Sequence, residues 1–461
     1  MSGDTEMKPS LALGRDGHEV GKHSRSVKEQ IRGAMTGRYH DSQRPRFHGL
    51  EEMENVMTRR DFGPLAGIRV LDLGVNIAGP FGATLLGEFG AEVIKIELPE
   101  TGDTMRHMVP LYENKSLSWV VLGRNKKSIT LDIRKSKGQE ILKSLVNVSD
   151  VLVESFRPGT MEKWGLGLDQ LHEINPGLIM IRATGFGQSG PYKDRGGYDR
   201  VGAAMGGMTY LTGFPDSPPV RVGLNICDQI TGLFNALGAL LALYHRDRRS
   251  DGKGNKGQSV DISLYESIFR LLESVVADYD KLGLIRERVG NANEIVAPAE
   301  NFETKDGKWV VFVVTSNKLF HRFLVTIGHA ELIDDLRFKS NPQRVKNRDA
   351  LHRLSVDWFK NKTFSEINEI FLKEGLPFGP VYNIKDIFED PHYRARHNII
   401  QVDDPIIGPV KMQNVTPRLS LTPGRVVTSG PELGQHNTEI YGKLLGLTGE
   451  DLDAFKKEGI I

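Results

Sequence analysis

Two hydrophobic periods alternate along the chain from Ile68. "IRVLDLG" (Ile68–Gly74) is a short apolar run closed by glycine, a strand signal. "PFGATLLGEFG" follows with Leu85, Leu86 and Phe89 on one side, the spacing of a helix. "AEVIKIE" (Ala91–Glu97) returns to a strand pattern. Strand, helix and strand in so short a span predict a βαβ unit with parallel pairing and a right-handed crossover. The alternation continues. "SITLDI" precedes a helical "SKGQEILKSLVNVS", then come strand "DVLVES" (Asp150–Ser155), helix "GLDQLHEIN" and strand "LIMIRATGFG". This predicts an α/β layered fold with a Rossmann-like large domain.

The apolar positions of "LFNALGALLALYHRDRR", after Gly232, wrap most of a helix surface, so a long buried helix is expected. "GQSVDISLYESIFRLLESVVADY" reads as a short strand and another helix. From about Gly290 the pattern changes. "ENFETKDGKWVVFVVTS" predicts two strands joined at Asp306-Gly307, followed by helices to about Gly375. We take 61–269 and 376–461 as the large domain and 270–375 as a smaller α+β domain. Residues 1–60 mix both charge signs with His, Gly and Ser without periodicity, and are read as an irregular arm. Their early acidic residues argue against a mitochondrial transit peptide. "TRRDF" (Thr58–Phe62) has a twin-arginine look, but no apolar signal core follows it.

Charge narrows the partners. Lys and Arg number 60 against 59 Asp and Glu. A balanced chain carries no electrostatic footprint for nucleic acid or an anionic membrane, so an anionic ligand must be held by local cations. One cysteine excludes a disulfide framework and a CxxC metal site. No metal site is expected. No uninterrupted apolar run reaches the roughly 18 to 20 residues of a membrane span. The expectation is a soluble, cytoplasmic protein.

Three stretches could carry chemistry. At the first βα junction, "GVNIAGPFG" could place a phosphate at a helix N-terminus, with Glu97 where a ribose-binding acid would stand. The glycines do not form GxGxxG and Pro80 removes a donor, so a plain tight turn is a stronger reading than nicotinamide binding. "VGLNICDQITG" (Val222–Gly232) holds the lone Cys227 before Asp228. Cys227 reads as a buried, inert thiol. Asp228 reads either as a helix N-cap or as an ionised carboxylate able to attack an activated acyl group, and the two are compatible. Third, the glycine-rich "ATGFGQSGPYKDRGGYDRVGAAMGGMTYLTG" follows a strand, where α/β proteins build sites. Tyr198 and Asp199 stand where it turns helical, and Asp199 too could be only a cap.

These motifs together resemble family III CoA-transferases, the group that includes formyl-CoA transferase, carnitine CoA-transferase and the succinyl-CoA-dependent transferases of dicarboxylic acids. The resemblance spans about 63–450 and rests on "FGPLAGIRVLDLG", "AGPFGATLLGEFGAEVIKIE", "RNKKSITLDI", "VLVESFRPGTMEKWGLG", "TGFGQSGPY", "GYDRVGAAMGGM", "GKGQSVDISLYES" and "GLPFGPVYNIKDIFEDPHY". It implies that Asp228 is the catalytic aspartate, working through an aspartyl anhydride and an aspartyl-CoA thioester. It implies Tyr198 and Asp199 as the pair lining the active site. It implies CoA contacts at Ala78, Leu131, Arg134, Phe156, Arg157 and Lys163, the cations meeting the phosphates. CoA thioesters enter as substrates with no permanently bound cofactor, and the partners are an acyl-CoA and a carboxylic acid. The implied assembly is a homodimer of interlocked chains.

The chain departs from formyl-CoA transferase at two places. Leu98 replaces a CoA-binding arginine, and "RVGNANEIVAP" stands where that enzyme has a run of glycines. Both speak against formyl-CoA and oxalate. "GVNIAGP" and "FGPLAG" are close to the carnitine and bile-acid branch, and "RVKNRDAL" and "GPVYNIKDIFEDP" to the succinyl-CoA branch; succinyl-CoA or another short acyl-CoA is the expected donor. The alternatives are an α-methylacyl-CoA racemase, which Tyr198 disfavours because tyrosine is a weak base at neutral pH, and a non-catalytic CoA-binding subunit of a hetero-oligomer.

Overall fold

The computed structural model describes residues 62–248 and 256–461. The predicted arm, and all but the end of "TRRDF", lie outside the described residues. Six strands form a parallel sheet: β1 (Arg69–Asp72), β2 (Glu92–Glu97), β5 (Lys126–Thr130), β6 (Val151–Glu154), β7 (Ile179–Thr184) and β8 (Ser259–Ser263). A short hairpin of β3 (Leu111–Tyr112) and β4 (Lys115–Ser116) interrupts the series. The sheet order is β5-β2-β1-β6-β7-β8. Order therefore reverses between β1 and β6, and loops leaving their carboxyl ends diverge to open a crevice.

Both faces of the sheet are covered at its centre, which is why β6 and β7 are mostly apolar. Alternate residues serve different layers. Leu71, Ile94, Leu152 and Met180 join the core beneath α2 (Ser136–Val146) and α3 (Leu168–Ile174). Val70, Val93, Val151 and Ile179 face α1 (Ala78–Glu88) and α5 (Ile226–Arg248). Between α3 and α5 runs α4 (Asp199–Met205), and α6 (Leu264–Phe269) follows β8. The end of the chain returns to the first core, where Tyr441, Ile460 and Ile461 are buried and the Tyr441 hydroxyl donates to the Thr130 carbonyl at 2.6 Å.

A further core lies in 297–378. It packs Phe302, Phe312, Phe323, Phe359 and Phe371 around an antiparallel sheet of β9 (Ala299–Glu303), β10 (Trp309–Val313) and β11 (Phe378–Pro380). The β9–β10 turn at Asp306-Gly307 is the one the sequence predicts, and Gly307 has φ +72° there. The third strand comes from beyond Gly375.

The long helix corrects one expectation. Its 23 residues include a window of mean hydropathy 1.5, enough by length and composition to cross a membrane, although polar residues break every apolar run. It is not buried all round. Thr231, Asn235, Ala239 and Leu243 face inward, whereas Leu233, Leu237, Leu240, Leu241 and Tyr244 are exposed along one stripe. The inner face crosses α1 closely: a Cβ on Gly82 would stand 2.7 Å from Asn235 Cβ, and one on Gly232 at 2.7 Å from the Phe81 ring. The first βα glycines thus serve helix packing as much as a turn.

Beneath the β1–α1 loop sits a buried ionic cluster. Asp72, Lys95, Asp103 and Lys126 are all essentially inaccessible. Lys126 Nζ lies 2.9 Å from Asp72 Oδ2, and Lys95 Nζ lies 3.0 Å from Asp103 Oδ2 and 3.8 Å from Asp72 Oδ1. The spare ammonium protons go to the loop: Lys95 donates to the Gly74 carbonyl and Lys126 to the Pro80 carbonyl at 2.7 Å. Burial opposes the charge of both lysines. For Lys95 the carboxylates of Asp72, Asp103 and Glu97 outweigh it and hold the pKa above the ordinary value. For Lys126 burial prevails, with Lys95 adding repulsion against the pull of Asp72, and the pKa falls. Asp72→Ala leaves two buried ammonium groups short of a carboxylate. It is expected to cost about 3–5 kcal/mol, read as a lower urea midpoint. Adding Lys126→Met is expected to recover most of that loss.

Candidate active site

The crevice at the sheet's switch point is a cavity of about 280 Å³. It is lined by Val75–Ala78 after β1, Ser155–Pro158 after β6, Ala183–Gly185 at the end of β7, and by Lys193, Arg195–Tyr198, Asp228 and Leu264. Asp228 is the sole acid among the described residues lining it.

Local geometry sets each wall. Asn76 takes φ +62°, a conformation asparagine tolerates. Its N–H reaches Asp103 Oδ1 at 3.4 Å, and the Thr104 hydroxyl donates to its side-chain oxygen at 2.6 Å. The Val75 N–H donates to Ser155 Oγ at 3.0 Å, joining the two loops that flank the switch point. The Asn235 amide donates to the Ala78 carbonyl at 2.9 Å and fixes α5 to the start of α1.

Asp228 is not the cap of α5. The Gln229 N–H closes the first helical bond on the Asn225 carbonyl at 3.2 Å, so Asp228 lies inside the first turn. Its own N–H donates to Asp199 Oδ1 at 3.1 Å. Asp199 is the first residue of α4 with Tyr198 in the N-cap position, and its buried carboxylate therefore serves the end of a different helix. This arrangement overturns the expectation that Asp228 is simply ionised. Burial, and then the Asp199 carboxylate, push its pKa up to about 7. Desolvation and like charge outweigh the helix dipole.

Cys227 is inert, as the sequence suggests. It is fully buried among Ala203, Leu264 and Ile268, its Sγ donates to the Leu264 carbonyl at 3.2 Å, and burial pushes the thiol up to about 12. Glu97 is unavailable to a ribose. It is buried and held by Arg106 through Nε at 2.7 Å and Nη2 at 2.7 Å.

A family model described as CoA-transferase family III matches residues 65–437. The chain belongs to this family. It is 47% identical to succinyl-CoA–D-citramalate CoA-transferase of Chloroflexus aurantiacus, over 88% of this chain and 100% of the relative. It is 40% identical to the succinyl-CoA–L-malate CoA-transferase alpha subunit of the same organism, over 89% of this chain and 96% of the relative. A CAIB/BAIF family protein from Brucella suis superposes with a TM-score of 0.73 at 33% identity, over 83% of this chain and 100% of that one.

The residues that the family III resemblance implies are not all in one place. Ala78, Phe156, Arg157, Tyr198 and Asp228 line the cavity, and Asp199 stands behind Asp228. Leu131 does not: its side chain is in the main core. Arg134 is exposed outside the lining and forks onto Asp132, at 2.7 Å from Nε and 2.9 Å from Nη2. Lys163, at the end of the short helix Thr160–Lys163, is exposed and also outside the lining. Reading the sequence missed Asn76, Ser155, Lys193 and Arg195. The cations of "PYKDRGG" were a visible signal, since they stand in the same glycine-rich loop as Tyr198. "RVGNANEIVAP" lines a separate cavity of about 290 Å³ with Val289 and Ala292–Ile295.

An acid that favours its neutral form in the fold costs stability wherever the unfolded chain is ionised. For Asp228 the cost begins above about pH 4, grows to about pH 7 and then stays level. Asp228→Asn removes it. The variant is expected to unfold at higher urea than the parent at pH 8, by an amount on the order of a few kcal/mol, and at the same urea at pH 4.

Proposed function

We propose that this family III enzyme moves CoA from succinyl-CoA, or another short dicarboxylic acyl-CoA, to a free carboxylic acid through covalent intermediates on Asp228. The observation that carries this reading is a single buried-edge carboxylate in a cavity sized for an acyl group, at the carboxyl ends of parallel strands. The succinyl-CoA-dependent transferases that the chain resembles support the donor.

The proposed chemistry conserves charge at every step. An Asp228 oxygen attacks the donor thioester carbon, the C–S bond breaks and CoA thiolate leaves a mixed anhydride. The thiolate then attacks the Asp228 carbonyl carbon, the anhydride C–O bond breaks, and the first acid departs as its carboxylate. An aspartyl-CoA thioester remains. The acceptor carboxylate attacks that carbonyl and displaces thiolate, which attacks the new acyl carbon. Acyl-CoA leaves and the Asp228 carboxylate is regenerated. A nucleophile raised to about pH 7 is more basic than an ordinary aspartate and is still half ionised at neutrality. The cavity holds the acyl end only, so the nucleotide of CoA must run outward past exposed Arg157.

The test is chromatography of CoA esters after incubation with succinyl-CoA and a panel of carboxylic acids. New esters are expected with the parent, and at least about a 10³-fold loss with Asp228→Ala. The rate in kcat/KM is expected to climb as pH rises through about 7. Equal ester formation by the variant would overturn the assignment.

The interlocked homodimer is part of the same proposal. The exposed stripe from Leu233 to Tyr244 supports it, because such a contiguous apolar face marks an interface. Light scattering is expected to give twice the chain mass, and Leu237→Asp with Leu241→Asp is expected to lower it.

A further inference from the structure

We propose that Arg195 reads the distal carboxylate of a dicarboxylic acyl group bound at Asp228. This rests on the transferase reading above and names a residue that selects its substrate class.

The argument begins with charge. A thioester carbonyl is neutral, but the far carboxylate of a dicarboxylic acyl group keeps its full charge when it leaves water. It must find a hydrogen-bonding cation. The need is greater here because a second carboxyl group, Asp199, stands directly behind Asp228. Three cations line the cavity: Arg157, Lys193 and Arg195. Lys193 is already engaged, with Nζ 3.0 Å and 3.1 Å from the two Asp194 oxygens. Arg157 follows β6 and is assigned above to the outgoing CoA.

Arg195 is held differently. Its guanidinium lies over the Tyr192 ring at 3.7 Å, and the Arg195 backbone N–H donates to the Tyr192 carbonyl at 2.9 Å in a tight turn. The Tyr192 ring in turn meets Phe186 edge-on at 6.2 Å. Among the described residues no carboxylate pairs with it. An aromatic face orients a guanidinium without neutralising it and leaves its N–H edge for a planar bidentate acceptor. Three residues further on is Tyr198, which lines the same cavity as Asp228.

The test is isotope exchange in matched pairs: succinyl-CoA with labelled succinate, and butyryl-CoA with labelled butyrate. These acyl groups have the same length and differ in the distal carboxylate. The parent is expected to prefer succinate. Arg195→Gln is expected to lower the succinate-to-butyrate ratio of kcat/KM about 10- to 100-fold, and Arg195→Lys to keep part of the preference. If Arg195→Gln slows both exchanges by one factor, the residue holds CoA or the fold, and the proposal fails. It also fails if the parent exchanges butyrate as well as succinate, while the transferase reading stands. No exchange of either acid by the parent, with Asp228→Ala indistinguishable, would overturn the transferase reading itself.

Discussion

The site hangs on a set of charges that no solvent reaches. Asp72 ends β1, and its two oxygens face lysines from β2 and β5, so one carboxylate ties together three adjacent strands. The same lysines grip the Gly74 and Pro80 carbonyls, and Asp103 takes the Asn76 N–H. The first βα loop is therefore held from below by ionic hydrogen bonds rather than by packing alone. Neutral in sum, the cluster costs least when complete, and it fixes a loop whose own backbone is kinked at Asn76.

A second constraint fixes Asp228. α5 can bring Asp228 to the cavity only if it crosses α1 closely, which Gly82 and Gly232 permit and Asn235 secures. The helix end must also satisfy its free N–H groups. Asp199 supplies an acceptor from another helix, and the same carboxylate that orders the Asp228 backbone raises the proton affinity of its side chain. Positioning and tuning come from one group.

Much of the architecture was legible. The parallel strands, the βα alternation and the hairpin at Asp306-Gly307 follow from period and turn chemistry, because local sterics and burial decide them. Boundaries shifted by a few residues: "SITLDI" became Lys126–Thr130, where Lys126 joins the buried cluster and Lys127 pairs with Glu92 and Glu439. The helix from Ile226 was predicted buried, but hydropathy cannot separate a helix sunk in its own core from one that turns half its apolar surface outward. In the site, Asp228, Tyr198 and Arg157, which the resemblance implies, line one cavity, whereas the Leu131 side chain belongs to the core and Arg134 is tied to Asp132. The pKa of Asp228 was out of reach, since it depends on burial and on Asp199 arriving from a separate helix.

The outward stripe of α5 bears on how the protein is made. A newly finished chain shows water Leu233, Leu237, Leu240, Leu241 and Tyr244 on the very helix that carries Asp228 in its first turn. Before that stripe is covered, the chain has the adhesive surface of an aggregation-prone intermediate. Recovery of active material from expression is then a race between productive burial of one helix face and indiscriminate sticking. Synthesis rate and temperature become determinants of yield.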